Sequence, residues 1–151
     1  MTSALKAAPE VPGDISDVLL SVIERRGYSV LSIDALDEAC AAAPLAMVYL
    51  AGDWWRLSES DDVAAVLPEL ERALDGHAQI FVAARTDERA LQRRWHFKSL
   101  PALVFLRDGQ YLGAIAGIRD WSDYLVEIPE ILAREPAAPP PFQMPSGCGT
   151  A

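Results

Sequence analysis

Cysteine is nearly absent: Cys40 and Cys148 are the only two in 151 residues. They lie far apart and form neither a C-x-x-C pair nor a metal-ligand spacing, which excludes a disulfide framework and a cysteine zinc site and fits a reducing compartment. His77 and His96 stand singly, with no partner at ligand spacing, so neither a metal nor a cofactor is expected. Basic residues are also short, 13 against 22 acidic, for a net charge of −9. That balance excludes general nucleic-acid binding, which needs clustered Lys and Arg, and favours basic partners. No apolar run approaches the ~20 residues of a bilayer crossing. The leading stretch MTSALKAAPEVPGD has one lysine, two prolines and no sustained apolar core. Neither a secretory leader nor membrane insertion is therefore expected, and the expected location is the cytoplasm.

What remains is an ordinary globular composition, 51% hydrophobic and 23% charged. A chain of this length buries roughly 68 to 70% of its unfolded surface, enough for one core. Asp14 is placed to cap a first helix with Ile15, Val18, Leu19, Val22 and Ile23 on one face and Gly27 at its end. A short strand, Tyr28 to Ile33, precedes a helix capped by Asp34 that carries Leu36, Ala39, Cys40 and Ala43 inward and stops at Pro44. Leu45 to Ala51 is apolar at almost every position, which suits a central strand covered on both faces. Val63, Val66, Leu67, Leu70 and Leu74 mark another helix, with Pro68 as a kink. Ala78 to Ala84 is a second buried strand, followed by a helix through Ala90, Leu91 and Trp95.

The run LPALVFLRDGQYLGAIAG reads as strand, Asp108-Gly109 turn and strand. A last helix, Trp121 to Leu132, is expected to pack through Trp121, Leu125, Ile128 and Leu132. The expected boundaries are a flexible terminus at 1–13, one domain at 14–134, and a disordered Pro/Ala/Gly-rich tail at 135–151. Periodicity alone leaves several α/β sandwiches open. The stretch WHFKSLPALVFLRDGQYLGAIAG, with Pro101, Gly109 and Gly117, resembles the thioredoxin family, which implies a mixed central sheet sandwiched by helices. In that family the proline at the position of Pro101 is cis and borders a reactive dithiol, and the residue before it offers backbone hydrogen bonds to an extended peptide. His96 stands where the family has glycine.

The dithiol itself is missing. Counted forward with Trp54 as anchor, the thiol positions fall on Trp55 and Ser58; counted back from Pro68, they fall on Ser60 and Val63. The two registers differ by a five-residue insertion, and neither supplies a cysteine. Thiol–disulfide exchange needs an attacking thiolate, which a serine hydroxyl cannot replace. An acidic chain of this kind, lacking the dithiol, with SLPALVFLRDGQYLGAIAGIRDW and a Pro-rich tail, is similar to the HyaE/HupG accessory proteins of uptake-hydrogenase maturation. That resemblance implies a non-catalytic chaperone binding the twin-arginine signal peptide of the hydrogenase small-subunit precursor before export, with other hydrogenase accessory proteins as further partners.

Charge patterning bears on such a partner. Residues 51–75 hold seven acids against two arginines, and 120–135 five acids against Arg134, whereas 85–98 hold five basic residues against two acids. In the thioredoxin arrangement the two acidic helices share one side of the sheet. A twin-arginine segment would be steered by Asp53, Glu59, Asp61, Asp62 and Glu69. It would be gripped by Trp54, Trp55, Leu57, Ser99, Leu100 and Pro101. For Trp54 and Trp55, packing beneath the loop is the plain alternative. The rival from another class is a thiol–disulfide oxidoreductase in which the single Cys148 swings from the tail toward the Trp54 to Pro101 groove.

Overall fold

A computed structural model describes residues 15–141. Helix α1 (Asp17–Arg26) is capped by Ser16, not Asp14, which lies outside the described residues. Ser16 has an extended backbone that aims its hydroxyl oxygen at the Leu19 amide, 3.0 Å away, and its own proton goes to Asp61 at 2.5 Å. Gly27, at φ 73°, closes the helix through a bond to the Ile23 carbonyl. Strand β1 (Ser29–Leu31) is shorter than expected, because Ser32 and Ile33 already turn into helix α2 (Ile33–Ala42). The expected cap Asp34 sits inside that helix. The Ile33 amide is instead satisfied from a distance, by Asp87 Oδ2 at 2.8 Å.

Next come strand β2 (Leu45–Leu50), helix α3 (Ser58–Ala73) and strand β3 (Gln79–Ala83). A 3-10 turn, Arg85–Asp87, leads into helix α4 (Glu88–Trp95), and strands β4 (Ala102–Arg107) and β5 (Gln110–Ala116) precede helix α5 (Trp121–Leu132). The sheet order is β1-β3-β2-β4-β5, with β3 parallel to both neighbours and β4 antiparallel to both of its own. This is the mixed sheet, covered by helices on both faces, of the thioredoxin fold.

Alternation along the strands explains why β2 is apolar throughout. Met47, Tyr49, Leu103 and Phe105 face one core with Leu19 and Val22 of α1, Leu67 and Leu70 of α3, and Ile128 of α5. Their neighbours Ala46, Val48, Leu50, Val104 and Leu106 face the second, with Leu36 and Cys40 of α2 and Leu91 and Trp95 of α4. The two acidic helices therefore do share a layer, and the basic helix lies in the other. The Asp108-Gly109 turn has positive φ at both residues, 52° and 82°, the twist that lets a two-residue loop join paired strands.

Helix α5 corrects one expectation. Tyr124, Ile128 and Ile131 are its buried residues, while Trp121 and Leu125 are 43% and 51% exposed. The inward stripe is displaced onto Tyr124, whose buried hydroxyl oxygen accepts from the Arg119 amide at 3.3 Å. Past α5 the chain runs round the β5 side of the sheet. The Ala137 amide donates to the Tyr111 carbonyl at 3.2 Å, and the Pro140 carbonyl lies 2.7 Å from His96 Nδ1. The remaining part of the expected tail, 142–151 with Cys148, and the expected flexible terminus lie outside the described residues.

Candidate functional site

Where β2 ends the chain makes a tight loop before α3, and that loop is fixed from below. Gly52 adopts φ 77°, and a Cβ there would sit 2.8 Å from both Leu100 Cβ and Leu57 Cδ1, so only glycine lets the loop lie directly on the proline segment. Asp53 closes the turn by accepting from the amides of Arg56 and Leu57 at 2.8 and 2.9 Å. The Leu100–Pro101 bond is cis, and the Pro101 carbonyl accepts from the Gly117 amide at 2.7 Å. His96 occupies the left-handed position at φ 60° that closes α4.

The anchor of the loop is a residue that the sequence reading missed. Glu88 is 2% exposed, and its carboxylate accepts from the Ala51 amide at 3.0 Å, the Gly52 amide at 3.2 Å and Arg85 Nε at 2.9 Å. Arg85 in turn reaches Asp53 at 2.5 Å, and Asp53 also pairs with Arg56 at 3.2 Å. The Arg85 guanidinium lies 5.7 Å from the ring centre of Trp55, which meets Trp54 edge-on at 5.8 Å. Burial pushes the Glu88 carboxyl up, although Arg85 and the two amides pull the other way. A signal was available: Glu88 is three residues before Leu91 and seven before Trp95, an acid on the buried stripe of α4.

The thiol positions hold no cysteine. Trp55 and Ser58 lie exposed at the start of α3, Val63 is core, and Ser60 is buried with its carbonyl accepting from the Tyr49 hydroxyl at 2.5 Å. Cys40 is the free cysteine among the described residues; it packs in the α2/α4 core, where burial and then Asp37 raise its thiol to about 11.

Of the six expected grip residues, Leu57, Ser99 and Leu100 line one cavity of about 400 Å³; Pro101 follows Leu100 through the cis bond, and Trp54 and Trp55 stand on the loop outside that lining, with Trp55 beside Arg85. The expected acids divide. Asp53 is held by Arg85 and Arg56, Glu69 pairs with Arg72 at 2.6 Å, and Asp61 accepts from Ser16. Glu59 and Asp62, in the first turn and a half of α3, are in no ion pair among the described residues. At the other end of α3 a second cavity, about 500 Å³, opens between α3 and α5 and is lined mainly by apolar side chains, including Leu70, Leu74, Leu125, Ile128 and Leu132.

The hydrogenase expression/formation protein HoxO of Cupriavidus necator is 36% identical over 146 residues, covering 95% of this chain and 91% of that one. The crystal structure of a hydrogenase expression/formation protein HupG from Rhodopseudomonas palustris is 33% identical, covers 70% of this chain and 95% of that one, and superposes with a TM-score of 0.50. Mitochondrial thioredoxin 3 of Saccharomyces cerevisiae shares the fold at 12% identity, a TM-score of 0.58, and 76% and 99% coverage. The sequence profile of the family described as hydrogenase-1 expression protein HyaE matches residues 18–124, so the chain belongs to the HyaE family.

Proposed function

We propose that the chain is a hydrogenase expression/formation protein that works in hydrogenase maturation by holding, without thiol chemistry, the twin-arginine signal peptide of the small-subunit precursor. The observation that carries this reading is the seam between α3 and α5. Its upper end has Glu59 and Asp62 on α3 and Asp120 and Asp123 at the start of α5; its lower end is the apolar cavity. A segment with paired arginines followed by apolar residues matches that sequence of chemistry. Rim ion pairs contribute only ~0 to 1 kcal/mol each, so the acids steer and the cavity supplies affinity.

The cradle at Trp54, Trp55, Leu57, Ser99, Leu100 and Pro101 is the other place for such a peptide. There its arginines would meet Arg56, Arg89 and Lys98, which line the cavity with Leu57, Ser99 and Leu100. Like charges favour the α3/α5 seam. The test is calorimetric binding of a synthetic twin-arginine signal peptide to wild type, Glu59→Gln/Asp62→Asn and Leu74→Ser. Affinity is expected to fall on raising salt from about 0.1 M to about 1 M, where the screening length shrinks from ~10 Å to ~3 Å. It is also expected to fall in both variants. Salt-independent binding, or binding lost only on changing the Trp54–Trp55 loop, would reject the seam.

A further inference from the structure

The cavity beside the cis-proline carries a charge opposite to that of the chain. The chain has a net charge of −9, yet this space of about 400 Å³ is walled by Arg56, Arg85, Arg89 and Lys98 against only Asp53 and Glu88. Both of those carboxylates are engaged, Glu88 by Arg85 and two loop amides and Asp53 by Arg85 and Arg56. Arg89 and Lys98 are exposed and have no ion-pair or hydrogen-bond partner among the described residues. The floor is thus a buried, paired network and the mouth holds the surplus positive charge. Leu57 and Leu100 add an apolar wall to the same cavity.

We propose that this cavity binds an acidic peptide segment, its carboxylates paired with Arg89 and Lys98 and an apolar neighbour resting on Leu57 and Leu100. Separate single-charge carboxylates suit two separate cations. A phosphate group, with about −1.5 to −2 charge on one centre, would meet stronger repulsion from Asp53 and Glu88. The cavity lies on the α4 side of the loop that follows β2, opposite in charge to the α3/α5 seam, whose apolar cavity includes Leu45 at the other end of that strand, so the chain holds a basic segment and an acidic one at once.

The test is a magnetic-resonance titration of the nitrogen-labelled full chain with the peptide Glu-Leu-Glu-Leu-Glu-Glu and with its all-Gln counterpart. Shifts are expected at Leu57, Arg89 and Lys98 to Leu100 with the acidic peptide. Arg89→Gln/Lys98→Gln should weaken it by about fivefold, the combined scale of two partly exposed ion pairs. Arg89→Glu/Lys98→Glu should abolish it, with twin-arginine peptide affinity retained in both variants. Equal binding of the Glu and Gln peptides, shifts confined to other surfaces, or no binding at about 1 mM peptide would overturn the proposal. Loss of twin-arginine binding in the Gln variant would overturn the separation of the two sites. Failure of the signal peptide to bind wild type, with acidic-peptide binding intact, would sink only the reading of the α3/α5 seam.

Discussion

Replacing Glu88 with alanine tests the claim that one buried carboxylate holds the loop in place of dithiol chemistry. The substitution strands the amides of Ala51 and Gly52, both buried, and each unsatisfied buried donor costs about 1 to 3 kcal/mol. Arg85 keeps Asp53, so its share of the loss is smaller. The total is about 3 to 5 kcal/mol, the range seen when one partner of a buried ion pair is removed. At roughly 3 °C per kcal/mol for a chain of this size, the melting temperature should fall by about 9 to 15 °C. Calorimetric melting and urea unfolding read this directly. A loss under about 1 kcal/mol would refute the reasoning, because it would mean that water replaces the carboxylate without cost. Glu88→Gln adds a pH test. Burial raises the folded carboxyl above its ordinary value, so the folded state prefers the protonated form. That contribution is complete below about pH 4.3 and is lost as pH rises through the folded value. Wild-type stability relative to Glu88→Gln should therefore decline as the pH climbs, and a rise would contradict the net effect of burial.

Gly52→Ala should destabilise by about 1 to 3 kcal/mol in chemical unfolding, through positive φ plus overlap with Leu57 and Leu100. Gly27→Ala, equally positive in φ but in open space, should cost only about 1 kcal/mol. Tyr49→Phe removes the bond to the Ser60 carbonyl and should cost about 0.5 to 1.5 kcal/mol at α3's start. In a Cys148→Ser background, Cys40 should resist iodoacetamide at pH 8 until the chain is unfolded, since its thiol sits near 11; fast native labelling would show that the α2/α4 core opens. Wild type and Cys148→Ser should both fail to reduce insulin disulfides, and any turnover that depends on Cys148 would revive the oxidoreductase reading.

The layers of this protein could be read from residue periods because two-sided burial leaves a signature: β2 is apolar at every position since both its faces meet helices. The hairpin was legible for a local reason, a turn that demands two positive φ values and an Asp-Gly pair that supplies them. Caps were harder. Ile33 is satisfied by Asp87, 54 residues away, and no local pattern announces such a bond. The phase of α5 was misread because Trp121 and Leu125 look like core on hydrophobicity alone, whereas Tyr124 hides its ring by placing its hydroxyl at the Arg119 amide. The loop site was half legible: Trp54, Trp55 and Asp53 stand out in sequence, but Arg85, which pairs with Asp53 and lies over Trp55, and Glu88, which holds Arg85, come from beyond β3.

The stretch that rounds β5 has one more effect. Four of its seven residues from 135 to 141 are prolines and present no N–H, and the Ala137 amide is already given to Tyr111. Beginning at its first residues, then, the outer margin of the hairpin is edged by a chain that offers a visiting strand few donors to zip against. That border is therefore closed to pairing by another chain, and the sheet does not extend by strand addition on this side.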